Sequence, residues 1–262
     1  MKTLAYFVKA TTVATIALTS SVGWADAAKE GLRIAELNDR ANQGFKSEAS
    51  VMEMKLINAY GDVTTRRMRN QIQEGTNEGD MSVSIFEWPA DVKGTKMLTH
   101  TKKEGDDKQW LYLPAIKRVK RISSKNKSGS FMGSEFSYED LASQEVEKFT
   151  YQFIGETTFK GRKVWHMSRV PVDKRSGYSK QVTWVDQEYH GPLKIEYFDR
   201  KGDLLKVGQF LEYKKFGKYW RVDRIEMENV QTKKRSVITW LERNLGSSVD
   251  EELFDSETMS DD

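Results

Sequence analysis

The sequence predicts a mainly β protein of the α+β kind, one antiparallel sheet accompanied by one or two short helices. Three observations lead there. Apolar and polar residues alternate with period two along much of the chain, as Met52, Met54 and Leu56 do against Glu53 and Lys55, so each strand buries one face and wets the other. Glycine turns at Gly61, Gly161, Gly191, Gly202 and Gly217 separate these runs at spacings that suit hairpins. Helical spacing is confined to a short stretch near the N-terminus.

Residues 1–27 read as an export signal. Lys2 gives a positive start, Ala10 to Val22 is small and mildly apolar, and Ala25-Asp26-Ala27 fits the small-x-small cleavage rule. Lys9, Thr11, Thr12 and Thr15 dilute the apolar segment, and the bland alternative is an ordinary N-terminal helix. Cleavage is expected after Ala27, leaving residues 28–262 as one periplasmic domain. No later segment has the ~18 consecutive apolar residues of a spanning helix.

Leu32, Ile34, Ala35, Leu37 and Ala41 then give an amphipathic helix over Glu30 to Phe45, with Gly44 as its stop. Met52 to Leu56 and Val63 to Gln73 form a hairpin about Tyr60-Gly61-Asp62, and Met81, Val83 and Ile85 alternate with serines in the next strand. Trp110-Leu111-Tyr112-Leu113 is an aromatic strand ended by Pro114, which lacks a ladder donor. A basic ribbon follows: Lys117, Arg118, Lys120, Arg121, Lys125 and Lys127 have no acidic residue among them. Phe131, Met132, Phe136, Tyr138 and Leu141 come next in a Ser/Gly-rich segment, and large apolar side chains on a loop need something to cover. Ser137 to Asp140 has the capping-box form, so a short helix should start at Tyr138.

The second half repeats the hairpin logic. Phe149 to Thr158, Arg162 to Val170, Gln181 to Asp186, Leu193 to Asp199, Leu204 to Tyr213, Tyr219 to Val230 and Val237 to Glu242 are strands, and Ser248 to Phe254 is a short capped helix or tail. The total is about ten strands with short connections and no linker or repeat. So few helical residues cannot cover such a sheet, and part of an apolar face is left for a bound hydrophobe. Trp88, Trp110, Trp165, Trp184, Trp220 and Trp240 lie in or beside strands, where each is more readily core than ligand wall.

Composition narrows the function classes. The chain has no cysteine, so an exported form has no disulfides, and it lacks the N-terminal cysteine that bacterial lipidation requires. Removing Lys2, Lys9 and Asp26 with the leader leaves 40 basic and 38 acidic side chains, a balance that argues against a nucleic-acid partner despite the local ribbon. His100, His166 and His190 lack metal-ligand spacing, and neither a nucleophile elbow, a P-loop nor a dinucleotide fingerprint occurs. Glu139 and Asp140 are adjacent carboxylates better explained by a helix N-terminus than by acid/base chemistry. A non-enzymatic protein without a cofactor is expected.

The run WLYLPAIKRVKRIS, followed by SGSFMGSEFSYEDL, resembles the outer-membrane lipoprotein-sorting proteins, relatives of the LolA/LolB-type periplasmic carriers. The match is specific over residues 110–141 and the strand-rich layout from Lys46 to Phe254 is compatible with it. The resemblance implies a strongly curved antiparallel sheet, an open half-barrel, whose concave face holds a lipid or lipoprotein acyl chain under a flap. It also implies a monomeric soluble carrier working between an inner-membrane transporter and an outer-membrane acceptor. In the related carriers an interior arginine holds the lid, and Arg66, Arg67 and Arg69 are placed to supply one, with no motif to choose among them.

On this reading Trp110, Tyr112, Phe131, Met132, Phe136 and Tyr138 are the ligand-binding residues, with the flap Ser128 to Leu141 over the cavity mouth. Changing Phe131 and Phe136 to serine should then reduce lipid affinity more than stability, the main core lying elsewhere. Lys117, Arg118, Lys120 and Arg121 are the candidate contacts for a membrane or partner, as in an adaptor docking on an exporter; equally, lysines there can simply blunt a sheet edge.

Overall fold

A computed structural model describes residues 19–260; residues 1–18, most of the expected leader, lie outside the described residues. Helix α1 (Thr19–Asn42) is followed by thirteen strands: β1 (Ser47–Ile57), β2 (Val63–Gln73), β3 (Met81–Trp88), β4 (Lys96–His100), β5 (Lys108–Leu113), β6 (Arg118–Ile122), β7 (Phe149–Phe159), β8 (Arg162–Pro171), β9 (Tyr178–Asp186), β10 (Pro192–Asp199), β11 (Leu204–Phe216), β12 (Tyr219–Asn229) and β13 (Arg235–Leu245). The strand count exceeds the sequence expectation because β4 and β6 are only five residues each, too short for alternation to register, and β6 is entirely basic or β-branched. Among the described residues α1 is the one α-helix, within the expected one or two, and it is longer than expected, extending back to Thr19.

All strands belong to one antiparallel sheet in the order β6-β5-β4-β3-β2-β1-β13-β12-β11-β10-β9-β8-β7. Every neighbour pair is sequential except β1 with β13, so the first and last strands meet at the centre. The sheet does not close. Its free edges, β6 and β7, are consecutive in sequence, and residues 123–148 must therefore cross from one edge to the other, which they do over the concave face.

Register assigns the faces. Met54 of β1 lies opposite Arg66 of β2 and Ile238 of β13, and Met52 opposite Met68 and Trp240. These inward positions join Phe86, Met97, Leu111, Ile195, Tyr197 and Met227 in the main core, and Phe131 and Phe136 of the crossing segment are buried in the same cluster. The expectation that the main core lies away from the flap is therefore corrected: a curved sheet with one helix has no second layer across its middle, and the flap supplies it.

Trp110 and Tyr112 occupy the other face. Alternation puts Gln109 and Leu111 inward, so Trp110 and Tyr112 join Val83 and Leu98 in a convex cluster capped by Phe254 and Met259 from the C-terminal tail. That tail contains a 3-10 turn, Glu251–Phe254, started by Asp250 accepting from the Glu252 N–H, and His100 Nε2 lies 2.7 Å from the Phe254 carbonyl. Helix α1 lies on the concave side of β7 to β9, with Ile34 fully buried against Trp165, Met167 and Val185. Gly31 makes that approach attainable, since a Cβ there would stand 3.0 Å from the backbone nitrogens of Gln152 and Phe153.

The two halves also meet at their rims. Arg175 of the β8–β9 turn pairs with Asp106 of the β4–β5 loop and with Asp173 at 3.0 Å, Lys127 reaches Asp173 at 2.6 Å, and Lys148 pairs with Asp107. Along this seam Arg175–Asp106 is exposed and so individually weak, whereas the Lys127–Asp173 and Lys148–Asp107 pairs are half-buried.

Candidate functional site: the flap and the cavity beside it

The flap is fastened from both halves of the sheet. Arg66 of β2 donates through Nη1 to the Met132 carbonyl and lies over the Phe86 ring, so among the three arginines Arg66 is the one that touches the flap. Gln109 Nε2 donates to the Tyr138 carbonyl at 2.9 Å, and the Glu135 N–H donates to Ser236 Oγ at 3.0 Å. Glu139 accepts from the Gly177 N–H at 2.8 Å and the Ser176 hydroxyl at 2.7 Å. Gly177 has to be glycine for this: a Cβ there would lie 2.6 Å from that of Ser128.

The strongest fastening is ionic. Lys206 of β11 donates through Nζ to Asp140 at 2.5 Å and to the Glu135 carbonyl at 2.9 Å, with the two charged side chains only 4% and 7% exposed. Tyr178 donates to the other Asp140 oxygen at 2.8 Å. The Ser137 N–H donates to Asp140 at 2.7 Å, the capping contact legible in the sequence, although the helix it starts is a single 3-10 turn, Tyr138–Asp140.

Four of the six expected ligand-binding residues converge here: Phe131 and Phe136 in the core, with Met132 and Tyr138 packed against it. Phe131 sits 5.8 Å from Phe86 and 6.0 Å from Tyr138, ring centre to ring centre. Trp110 and Tyr112 do not join them, for the register reason given above. Lys117, Arg118, Lys120 and Arg121 lie exposed on and before the edge strand β6, and none forms an ion pair among the described residues.

Space for a ligand lies beside the flap, not beneath Phe131. A cavity of about 350 Å³ opens between α1, the concave face of β7 to β11 and residues 140–146, with Met167, Val185, Ile195, Tyr197 and Phe210 on its walls. This falls in the ~300–1,000 Å³ range of small-molecule sites. A larger space of about 700 Å³ lies at the seam, lined by charged side chains such as Lys103, Asp106, Lys127 and Asp173, and is the less suitable for hydrocarbon. Gln144 lines both.

The inner wall is built from two adjacent cross-strand rows. Phe153, Met167, Thr183 and Ile195 are register partners across β7 to β10, and so are Tyr151, Arg169, Gln181 and Tyr197 one step along, with Lys206 continuing the second row into β11. An apolar stripe thus runs beside a polar one. Sequence reasoning missed Arg169 and Lys206, though each is a cation at an inward position of an alternating strand, Arg169 after Trp165 and Met167, Lys206 before Gly208 and Phe210.

Where the flap returns to β7, carboxylates from three elements gather. Glu145 is pushed up to about 7, by burial first and then by Asp80 and Asp39, with Lys148 opposing and Glu147 adding. Asp80 and Asp39 are themselves raised, chiefly by burial. A raised folded-state value means the folded protein holds a proton that the unfolded chain releases, so this stability is complete below about pH 4.5 and is lost as pH rises through about 7. Thermal melting should therefore fall across that window, with Glu145→Gln reducing the slope; a slope unchanged in the variant would contradict the assignment.

Comparisons place the fold among known ones. A family model described as an uncharacterized protein matches residues 78–261. A Vibrio parahaemolyticus domain, described provisionally as an outer membrane lipoprotein-sorting protein domain, is 44% identical with a TM-score of 0.87, covering 89% of this chain and 99% of its own. A DUF1329 family protein from Desulfovibrio piger is 30% identical with a TM-score of 0.84 over the same shares. A LolA superfamily protein from Nitrosomonas europaea, 19% identical over 87% of this chain and 98% of its own, has a TM-score of 0.69 and shares the fold. No curated protein matches the sequence.

Proposed function

The chain belongs to the family of the Vibrio lipoprotein-sorting domain and the Desulfovibrio DUF1329 protein, and on that premise we propose that it is a soluble periplasmic carrier for a lipid or lipoprotein acyl chain. The observation that carries this reading is the cavity of about 350 Å³ on the concave face, walled on the sheet side mainly by apolar side chains, with Arg169 among them, and roofed by α1 and residues 140–146. Delivery would run from an inner-membrane transporter to an outer-membrane acceptor. An export signal ending at Ala27 suits the helix: its buried residues among those described, Gly31 and Ile34, lie past that point, and Trp24 before it is 72% exposed.

Native mass spectrometry of protein purified from periplasm, followed by organic extraction, tests the reading. An acyl-chain lipid at substantial occupancy is the expected result. A clean apo protein that also fails to bind a fluorescent fatty acid would count decisively against it. Hydrogen exchange should locate the moving part. Residues 128–141 are held by core burial and by bonds from both halves of the sheet, so they should stay protected with and without lipid. Protection should rise on loading in residues 142–148 and in α1, which border the cavity. A rise confined to 128–141 would return gating to the flap.

The basic edge supports a second element of the reading, docking on an anionic bilayer or an acidic partner. Lys117, Arg118, Lys120 and Arg121 present uncompensated charge on the open edge of the sheet. Changing all four to glutamine should weaken association with anionic vesicles and flatten its salt dependence, because screening removes exposed Coulomb attraction. Unchanged binding would leave these residues as protection of the edge against strand pairing.

A further inference from the structure

We infer that the cavity selects an amphiphile with an anionic head, and that Arg169 receives that head; the inference rests on the carrier reading and names the class of cargo. Arg169 lines the inner cavity at the boundary between the polar and the apolar row. Its guanidinium is held in place without being neutralised. Nε donates to Gln181 Oε1 at 2.8 Å, one terminal nitrogen donates to Gln144 Oε1 at 3.1 Å, and Cζ lies over the Phe149 ring, 4.3 Å from its centre. No carboxylate among the described residues stands within ion-pair distance of it. Asp140 of the flap, the carboxylate whose charge acts on Arg169, is committed to Lys206 and Tyr178. Burial accordingly pulls the Arg169 pKa below its ordinary value.

A partly buried cation with only neutral partners gains most from an anion brought by the ligand, since a desolvated charge is costly until it is paired. Arginine is suited to this because its planar fork meets a carboxylate or phosphate with two parallel hydrogen bonds. The walls set the rest of the ligand. Beside Arg169, the row Met167, Thr183 and Ile195, with Val185 and Phe210, lines the sheet side of the cavity, a surface for hydrocarbon, while Asn38, Asp39 and Asn42 of α1 face it. The volume suits one chain better than two. Gln144, which bonds Arg169 and borders both cavities, divides the inner site from the charged seam, so its release would admit the head from that side.

The test uses delipidated protein and calorimetric titration, below micelle formation, with dodecanoate, dodecyl phosphate and dodecanol. The wild type should bind at least one anion about tenfold or more tightly than the alcohol, in keeping with charge-assisted hydrogen bonds. The two anions separate a carboxylate head from a phosphate head. Arg169→Gln should abolish the preference while still binding dodecanol, and Arg169→Lys, which keeps the charge without the fork, should retain part of it. Equal binding of all three by the wild type would overturn the inference and leave the carrier reading standing; binding of none would overturn both. Should Arg169→Gln fail to fold, the wild-type comparison and the lysine variant decide, and a preference undiminished in a folded glutamine variant would also overturn it.

Discussion

Replacing Phe131 by alanine should lower the stability of the whole protein by about 3–5 kcal/mol, the range for truncating a fully buried phenylalanine. Phe131 is 2% exposed, Phe136 is 5% exposed, and both belong to the cluster that includes Met54, Met68, Phe86 and Ile238. Sheet curvature makes this loop residue a core residue. Inward side chains of β1 to β5 and β9 to β13 converge on the space that the crossing segment fills, and removing the ring leaves a cavity that a continuous hydrogen-bonded sheet cannot collapse to fill. Phe131 and Phe136 share partners, so their effects should not add simply. Chemical denaturation of the single variants measures the loss. A decrease under about 1 kcal/mol would mean that the segment stands open in solution and would restore the view of it as a lid over the ligand.

Much of this architecture was legible in alternation and turns. Leu193, Ile195 and Tyr197 point inward against Lys194 and Glu196, and the latter two pair with each other at 2.6 Å on the outside. What alternation could not give was which face of a strand is concave. In β3, Met81, Val83 and Ile85 form the more apolar stripe, yet they lie on the convex face under the C-terminal tail, while Phe86 supplies the inward contact. The same ambiguity put Trp110 and Tyr112 with the flap when Leu111 is the residue that faces it. Flap composition was read correctly as apolar side chains needing a surface, but whether that surface is core or ligand depends on the space left by the sheet. The cavity itself is assembled from α1, β7 to β11 and the flap's end, elements distant in sequence, and Arg169 and Lys206 gain meaning only when cross-strand register sets them in one row.

Lys206→Met should be as damaging as the loss of the phenylalanine ring, by about 3–5 kcal/mol, because it removes one member of a buried ion pair and leaves the other. Asp140 would retain the Tyr178 hydroxyl and the Ser137 N–H but no cation, and the Glu135 carbonyl would lose its donor. The cost falls on the flap, since Asp140 and Glu135 both belong to it, whereas β11 remains hydrogen-bonded to β10 and β12 on either side. Residues 128–141 should therefore exchange amide hydrogens faster in the variant while β11 stays protected. Changing Asp140 to leucine in the same background should recover most of the stability, since an apolar pair of similar volume removes the stranded charge. This double variant separates two roles of the pair. Recovery of stability with normal lipid binding would make the pair a fastening only, and recovery of stability with lipid binding lost would make its charges part of the polar row that the ligand meets. Loss of less than about 1 kcal/mol in Lys206→Met would place the pair in contact with water and contradict the closed flap.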